Sequence, residues 1–460
     1  MRREVRVEQQ PTGKVNRRNL LKGAAAAAAA PVLASCIGSQ PSGTGGASAT
    51  AAVSGGAASA TPKLGGTLNI LQWSHFVPAY DTYLDKWAAD WGAKNGVTVK
   101  IDRIAQADLP ARAASEAAAK SGHDLFGHWS QGFSALFEDN LIDISDIVDG
   151  AANKYGGFIP AGEAIGKING KWRSYPNFFI PFPSLWRKDA WTAVGLPNGP
   201  TKWQDLLDYA PKLQANGTPI GTAYSQTSDG EQTWRSLLWS YGGGEFTTDG
   251  KGVAIDSPET RAALQFAKDL FKFLDPAVLS WADVDNNTCL QSKRCSWIYN
   301  PISAYRTIET QDPELIKNVF VNLPLTGPKA QICSIQWECY GIWNFSKNID
   351  AARQFLIDYI PEWPAQMDAS KGYNNPFLKS RLTKPMPVLG SDPKLQQLQD
   401  IANYVRAIGY PAPSTKAAFD SLNTHIVTDM FTNYATGKKS LDDTIADATK
   451  RLKDSIAKFS

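Results

Sequence analysis

The sequence of 460 residues is poor in histidine and lacks the short motifs of several common enzyme classes. Its four histidines are His75, His123, His128 and His425. It contains no Gly-x-Ser-x-Gly, His-Glu-x-x-His or Gly-x-x-x-x-Gly-Lys segment, which argues against an α/β-hydrolase, a zinc peptidase and a P-loop enzyme. A secreted glycosidase stays open as an alternative, because two well-placed carboxylates suffice for that chemistry.

The N-terminal region lacks a hydrophobic run long enough to span a bilayer. Its apolar stretch from Gly23 to Ala34 has 12 residues, whereas a transmembrane helix needs about 20. The stretch follows a basic region that contains the twin arginines Arg17 and Arg18. This order predicts a twin-arginine type export signal over residues 1–35.

The export signal ends in Leu-Ala-Ser-Cys, with the cysteine at position 36. This segment resembles a bacterial lipobox, which implies that Cys36 is lipidated and anchors the exported protein to the outer face of the cytoplasmic membrane. Asn16 and Leu20 depart from the usual twin-arginine pattern, so the general secretory route also stays open. Residues 37–63 are almost entirely Ala, Gly, Ser and Thr, which predicts a flexible tether within the segment 36–63.

A large excess of charge of either sign is also missing. The chain has 47 Lys and Arg against 44 Asp and Glu, and seven of the basic and two of the acidic residues lie in 1–35. The chain from Cys36 onward therefore carries 40 basic and 42 acidic residues, a net charge of −2. No basic field remains that would favour nucleic acid as a partner.

Cysteine is scarce beyond Cys36. The other four are Cys289, Cys295, Cys333 and Cys339, and each pair is spaced by six. An even number in an exported protein favours disulfides, and we predict Cys289–Cys295 and Cys333–Cys339, although four cysteines allow three pairings. Metal binding is the weaker interpretation because no histidine lies near them, and no metal or cofactor is predicted.

Hydrophobic periodicity along the globular part predicts an α/β fold with two lobes, the first built on a largely parallel sheet. The alternation of strands and helices is clearest between residues 66 and 126. The predicted elements are strands at 66–73, 97–101, 124–126 and Pro181–Trp186, a helix at Tyr80–Trp91 stopped by Gly96, a helix at 109–120, a helix capped by Thr201 and Gln204, and helices after Ser257 and Ser440.

The order of several short motifs resembles that of bacterial extracellular solute-binding proteins of the sugar-binding, maltose-binding-protein-like type. Each motif is weak alone, and the resemblance rests on their collinear order from about residue 64 to the end. The motifs are Gly65-Gly66-Thr67-Leu68, Asp124-Leu125-Phe126, Gly170 to Pro176, Leu185 to Asp189, Gly195-Leu196-Pro197, Pro200 to Leu206, Gly242-Gly243-Gly244 and Asp256 to Glu259. Residues 292–297 depart from the family pattern.

The resemblance implies a type II periplasmic-binding-protein-like fold, in which a hinge joins two α/β lobes around a cleft. By that analogy lobe 1 comprises 64–180 plus 325–372, and lobe 2 comprises 181–324 plus 373–460. It also implies a monomeric, non-enzymatic subunit that captures a sugar or oligosaccharide and delivers it to the permease of an ABC importer. The implied crossovers lie near Pro176–Pro181, Leu323–Gly327 and Gly372–Pro376.

A sugar site needs aromatic faces for the ring and polar groups for the hydroxyls, and a cleft gathers both from loops at the carboxyl ends of strands. For each aromatic residue a place in the core is the alternative. The candidates at the ends of the first-lobe strands are Trp73, Ser74, His75, His128, Trp129 and Gln131. Further candidates lie in the second lobe, on a returning strand of the first lobe and at the last crossover. They are Trp234, Trp239, Gly243, Tyr299 and Asn300, then Trp337, Glu338 and Tyr340, and finally Tyr373.

Other functions stay open beside sugar transport. A binder of ferric iron, polyamine or peptide would share the fold, and a surface adhesin or sensor would share the lipid anchor. No tandem tyrosines stand at a crossover, and the selected positions are mostly aromatic and neutral. Both observations favour a neutral sugar as the ligand.

Overall fold

The computed structural model describes residues 64–129 and 132–460, and all of them belong to one compact unit. The predictions for Cys36 and Gln131 fall outside these residues. The β-strands are β1 (Thr67–Trp73), β2 (Thr98–Ile104), β3 (Leu125–Trp129), β4 (Lys167–Ile168), β5 (Lys171–Trp172), β6 (Tyr175–Pro181), β7 (Ser184–Arg187), β8 (Ile220–Gly221), β9 (Trp297–Tyr299), β10 (Val319–Asn322), β11 (Cys333–Ile342), β12 (Asn375–Pro376) and β13 (Val405–Arg406).

The α-helices surround these strands. They are α1 (Pro78–Asn95), α2 (Leu109–Ala119), α3 (Phe133–Leu136), α4 (Ser145–Lys154), α5 (Pro160–Gly166), α6 (Lys188–Ala193), α7 (Trp203–Ala215), α8 (Ser228–Tyr241), α9 (Pro258–Phe271), α10 (Asp285–Gln291), α11 (Ser303–Gln311), α12 (Leu315–Asn318), α13 (Ile349–Tyr359), α14 (Trp363–Ala369), α15 (Lys416–Asn423), α16 (Ile426–Ala435) and α17 (Leu441–Lys458). Short 3₁₀ segments lie at Gln106–Asp108, Glu138–Asn140, Pro276–Leu279, Ile360–Glu362, Lys379–Leu382 and Gln396–Asn403.

The larger sheet has the strand order β12-β6-β11-β3-β1-β2, and β13 also pairs with β11. Strands β1, β2 and β3 run parallel, as expected for strands joined through crossover helices such as α1 and α2. β11 is antiparallel to both β3 and β6, so the sheet is mixed and the prediction of a largely parallel sheet holds only for its first three strands. All residues of β3 and β11 are buried, as is typical of strands covered on both faces.

The smaller sheet has the order β10-β7-β9-β8. The chain leaves the larger sheet after Pro181, enters the smaller one at Ser184, and returns between Asn322 and Cys333. β12 and β13 lie beyond residue 372 and pair with the larger sheet. The boundaries of the two predicted lobes stay a prediction.

Local capping signals place several helix ends where the sequence predicts them. Gly96 ends α1 in the left-handed conformation, with φ of 73°, and its N–H bonds to Gly92 O. Ser257 Oγ accepts a hydrogen bond from Thr260 N at 3.1 Å at the start of α9. Ser440 Oγ likewise caps α17, where residues such as Ile445 and Leu452 turn inward.

The predicted strand Pro181–Trp186 is wrong. Pro181 ends β6 and Ser184 begins β7, which lies in a different sheet, and residues 182 and 183 between them belong to neither strand. Pro181 and Pro183 have no backbone N–H to donate to a ladder, so the pairing is interrupted where the chain crosses between the sheets.

The predicted cap of α7 is also displaced by one residue. Lys202, not Thr201, precedes the first helical residue. The carboxylate of Asp205, rather than Gln204, accepts hydrogen bonds from the backbone N of Thr201 and of Lys202, each at 2.9 Å. A carboxylate near a helix N-terminus also interacts favourably with the helix dipole.

The cysteines separate into one bridge and two thiols. Cys289 and Cys295 form a disulfide, as predicted, with a Cα–Cα distance of 5.3 Å. Cys333 and Cys339 are unpaired and buried, so the second predicted disulfide is wrong. Both lie on β11, where six residues of extended chain span about 20 Å, and a disulfide requires Cα atoms within about 7 Å.

None of the helices in the described part of the chain has the length and apolar character needed to cross a bilayer. Within the same residues, no group of three or more His, Cys, Asp and Glu side chains is arranged to hold a metal ion.

Candidate functional site

Three parallel strands of the larger sheet end side by side. β1 ends at Trp73, β2 at Ile104 and β3 at Trp129, and Gln106 follows β2. The carboxyl ends of parallel strands share one edge of a sheet, which is where ligands bind in folds of this class. Trp73, Gln106 and Trp129 are therefore brought to one edge by the topology alone.

An aromatic cluster occupies this edge. The ring centroids of Trp73 and Trp129 are 4.0 Å apart, and those of Trp73 and His75 are 4.7 Å apart. Tyr373, from the segment before β12, lies 5.2 Å from His75 in an edge-on orientation. All four rings are buried, and together they form an aromatic floor.

His75 is held neutral within this cluster. Its Nδ1 accepts a hydrogen bond from Val77 N at 2.9 Å, so Nε2 carries the proton and donates to Asn374 Oδ1 at 3.0 Å. Burial lowers the pKa of His75 to about 4, against the effect of these hydrogen bonds. The imidazole therefore acts as a fixed neutral donor that joins β1 to the segment before β12.

Glu338 of β11 fixes the orientation of Trp73. Its Oε2 accepts from Trp73 Nε1 at 2.7 Å and from Gln72 Nε2 at 2.8 Å, and its Oε1 accepts from Asn177 Nδ2 at 3.0 Å. Burial raises the pKa of Glu338 to about 7, although all three hydrogen bonds favour the carboxylate. Gly127 leaves room for this network, because a Cβ there would lie 1.9 Å from Gln72 Oε1.

A cavity of about 280 Å³ opens beside Trp129, and we call it the Trp129 cavity. One wall, the first wall, comes from the strand ends of the larger sheet and the start of α2. The other, the second wall, comes from the N-terminal part of α8, the segment before α10, and the junction of α15 and α16. The first wall comprises Gln106, Ala107, Pro110 and Trp129, and the second comprises Gln226, Ser228, Glu231, Gln232, Asp283, Leu422, Asn423 and His425.

Two polar atoms of the first wall have unused hydrogen-bonding capacity. Trp129 is 1% exposed and Gln106 is 9% exposed, yet Trp129 Nε1 and Gln106 Oε1 have no hydrogen-bond partner among the described residues. Buried polar atoms are rarely left unpaired in a folded protein. One donor and one acceptor at the Trp129 cavity are thus available to a ligand.

Asp283 of the second wall is paired with Asp229, which is not among the residues that line the cavity. Asp283 Oδ1 accepts from Asp229 N at 3.1 Å at the start of α8, and Asp283 Oδ2 accepts from Gln106 Nε2 at 3.1 Å. Asp229 Oδ2 accepts from Asn286 Nδ2 at 2.7 Å. Burial raises the pKa of both carboxyls, and repulsion from Asp283 raises that of Asp229 further.

A second charged group stands beside this pair. Arg235 is fully buried in α8 and pairs with Glu231 and with Glu245, the latter at 3.2 Å. His425 Nδ1 lies 3.0 Å from Glu231 Oε1, and this contact raises the pKa of His425. Burial opposes ionisation of Glu231, but Arg235 and His425 outweigh it and hold its pKa below the usual value.

The structure brings together several of the residues selected from the sequence. Trp129 lines the Trp129 cavity, and a connected set of buried side chains, in contact with Trp129 through Trp73, does not reach the cavity. That set consists of Trp73, His75, Glu338, Tyr340 and Tyr373. Tyr340 joins it because its hydroxyl accepts from Gln72 Nε2 at 3.0 Å.

Other selected residues do not line the cavity. Trp234 stacks on Phe431, with centroids 5.1 Å apart, and Trp239 lies against Tyr410. Asn300 donates to Asn287 Oδ1 at 2.6 Å. The remaining residues of this group are Ser74, which is exposed, and the buried His128, Gly243, Tyr299 and Trp337.

Sequence reasoning selected none of the second-wall residues and only Trp129 of the first wall. Gln106 could have been found, because it follows β2 in the same way that the selected residues follow β1 and β3. Asp229 and Glu231 stand in the first turn of α8, where acidic residues are common for helix stability alone. The junction residue His425, with φ of 58°, carries no signal in the sequence.

Comparison with known protein families gives two matches. Residues 77–359 match the family described as bacterial extracellular solute-binding protein. Residues 14–34 match the signal sequence of the twin-arginine translocation pathway. No curated protein sequence matches the chain. The two matches together indicate export of a solute-binding protein.

Solved structures of low sequence identity share the fold. Maltose-bound MalE3 of T. maritima has 20% identity and a TM-score of 0.72, covering 84% of this chain and 99% of that one. A sugar transporter protein from Arthrobacter chlorophenolicus with bound laminaribiose has 17% identity and a TM-score of 0.73, and the match covers 84% of this chain and 99% of that one. A solute-binding protein from Agrobacterium radiobacter in complex with ribitol has 18% identity and a TM-score of 0.72, and the match covers 86% of this chain and 100% of that one. The family match, which spans more than half of the sequence, shows that the chain belongs to the bacterial extracellular solute-binding proteins. The similarity to the solved structures shows that it has a MalE-like fold.

Proposed function

We propose that this protein is the substrate-binding lipoprotein of an ABC importer and captures a sugar or oligosaccharide in the Trp129 cavity. The observation that carries the proposal is that an aromatic side chain of the first wall and polar side chains of the second wall line the same cavity. The ring of Trp129, backed by Trp73, can stack on the C–H face of a sugar ring. Gln106, Gln232 and Asp283 can serve its hydroxyls from both sides. The sugars and polyol named in the related structures support this substrate class.

The proposed mechanism is a clamp between two lobes with the boundaries 64–180 plus 325–372 and 181–324 plus 373–460. Ligand bound to the first wall is completed by the second wall when the lobes close. The ligand shifts this equilibrium only by its additional affinity for the closed form. The closed, monomeric form then docks on the permease.

The proposed anchor is a lipid on Cys36, followed by the tether up to residue 63. Export and membership of the family agree with a protein that works outside the cytoplasmic membrane. A tethered receptor stays close to its permease, which raises the effective concentration of the complex without any new contact.

A thermal-shift and calorimetric screen of the compact unit against sugars, polyols, peptides and metal ions tests the proposal. A ligand at 100 times its Kd should add about 2.7 kcal/mol to the free energy of unfolding. Trp129→Phe should weaken sugar binding about tenfold, because a large aromatic contact and the indole donor are lost. Trp87→Phe is the matched control, since Trp87 packs on Phe355 and Tyr359 instead.

Three outcomes count against the proposal. Stabilisation by an amino acid or ion but by no carbohydrate would change the substrate class. If Trp129→Phe and Trp87→Phe weaken binding equally, the Trp129 cavity is not the sugar-binding site. Release of shorter sugars from an oligosaccharide with turnover would make the protein an enzyme.

A further inference from the structure

The carboxylates in and behind the second wall of the Trp129 cavity outnumber the basic side chains that pair with them. Asp229, Glu231, Glu245 and Asp283 are four carboxylates within or directly behind this wall. Arg235 is the only lysine or arginine in the described residues that pairs with any of them, and it is shared between Glu231 and Glu245. The charge of Arg235 therefore compensates Glu231 and Glu245 and does not neutralise Asp229 or Asp283.

The Asp229–Asp283 pair has only neutral partners at hydrogen-bond distance. Asn286, Gln106 and the backbone N of Asp229 donate to it, and neither aspartate forms an ion pair within the described part of the chain. His425 acts on Asp283 at longer range, but its Nδ1 faces Glu231. Two neighbouring, largely buried carboxyls without a cation are costly when ionised.

The first wall suits a cation as well. Trp129 presents an aromatic ring, and the rings of tryptophan are the most favourable of the aromatic side chains for binding a cation. Gln106 Oε1 is an acceptor without a partner among the described residues, although its Nε2 already donates to Asp283. A donor-rich group placed between Gln106 and Asp283 could donate to both, and its positive charge would lie near the ring of Trp129. Trp129 Nε1 is itself a donor, so it is left for a hydroxyl oxygen of the sugar.

We propose that the Trp129 cavity selects a ligand that carries a protonated amine, and that the natural substrate is therefore a basic sugar such as an amino sugar or an amine-bearing oligosaccharide. The ammonium group lies against Asp283, which is paired with the buried Asp229, and the ring of the sugar lies against Trp129. This inference rests on the proposed function of the cavity as a sugar site and replaces the expectation of a neutral sugar. The raised pKa of both aspartates agrees with a missing cation.

Titration calorimetry at pH 7 with matched probes tests this specificity. The probes are glucosamine, N-acetylglucosamine and glucose, the corresponding chitosan and chitin disaccharides, and spermidine as an amine without a sugar ring. We expect each amino sugar to bind at least about tenfold more tightly than its acetylated or neutral counterpart, because only the amine supplies a buried ion pair.

Two variants locate the effect. Asp283→Asn and Asp229→Asn should each reduce the preference for the amine, measured as the ratio of its affinity to that of the matched neutral sugar, about tenfold. Asparagine can still cap α8 at position 283 and can still accept from Asn286 at position 229, so both folds should survive; melting curves verify this. Asp454→Asn, an exposed carboxylate on α17, is the matched control.

The outcomes separate the inference from the function beneath it. Equal or tighter binding of neutral sugars by the native protein overturns the inference and leaves a sugar-binding protein. Binding of spermidine alone, lost in Asp283→Asn, supports the cation site and overturns the sugar. A preference for the amine that persists in both aspartate variants overturns the assignment to this pair, and failure of every amine probe to bind at millimolar concentration overturns the inference outright.

Discussion

At the scale of single residues, a buried acid organises the aromatic edge of the larger sheet. Glu338 holds Trp73 and Gln72 in place, and Trp73 in turn supports the ring of Trp129. The sequence indicated Trp73, Trp129 and Glu338 as members of a site. It did not distinguish the residue that lines the cavity from those behind it, because burial depends on which chain segments meet.

The pH dependence of folding should report the burial of Glu338. The folded pKa is about 7 and the ordinary value is 4.5, so between these values the folded state holds a proton that the unfolded state has released. Stability contributed by this group is complete below pH 4.5 and falls by roughly 3 kcal/mol as the pH rises to about 7. In Glu338→Gln this fall should be absent, as measured by urea unfolding from pH 4.5 to 7.5.

Exposed Glu163→Gln serves as the comparison and should keep the native profile. If Glu338→Gln and the native protein lose stability in parallel across this range, Glu338 is not a buried titrating group in solution.

At the scale of elements, α10 connects the disulfide to the second wall. Cys289 lies in α10, Asn286 of the same helix donates to Asp229, and Asp283 stands just before it. The even number of cysteines and their spacing in pairs predicted this bridge, and it can form because the chain turns back after α10. The same spacing in β11 gave a wrong prediction, because an extended strand holds Cys333 and Cys339 apart.

Removal of the bridge should loosen this wall. The double variant Cys289→Ala/Cys295→Ala opens a loop with a sequence separation of 6, and the loss of this constraint on the unfolded chain should lower the free energy of unfolding by about 2 kcal/mol. Ligand affinity should fall as well, because α10 positions Asn286 and Asp283. Urea unfolding and calorimetry measure the two effects.

A reducing agent should reproduce the loss in the native protein and have no further effect on the double variant. Full stability and affinity after removal of the bridge would mean that packing alone holds α10.

At the scale of the whole molecule, the chain passes between two sheets and closes a polar cavity with elements far apart in sequence. Gln106 follows the second strand, Asp283 precedes α10 and His425 begins α16. The Trp129 cavity therefore forms only when these distant segments are folded together. Such a protein suits the twin-arginine route matched by residues 14–34, which carries folded proteins.

Membrane attachment should depend on Cys36 and on nothing in the folded unit. The exported native protein should partition into the detergent phase, because two or more acyl chains give stable anchoring. Cys36→Ala should move it to the aqueous phase with its melting temperature and ligand affinity unchanged. Cys333→Ala is the control that removes another thiol, and it should leave partitioning as in the native protein.

Retention of Cys36→Ala in the detergent phase would contradict lipidation at this residue. The Cys333→Ala control, in contrast, is expected to stay in the detergent phase because it keeps Cys36.

The sequence alone determined the export signal, the α/β class, the family resemblance and many helix ends. These depend on local order: a basic and apolar N-terminus, periodic hydrophobic residues, and caps such as Gly96, Ser257 and Ser440. The tertiary structure decided that Trp129 lines a cavity while Trp234 and Trp239 are core, and it placed Asp283 on the other wall of that cavity. Those facts depend on pairing between strands and helices separated by 100 residues or more, and no local pattern fixes which side chains such pairing will leave beside open space.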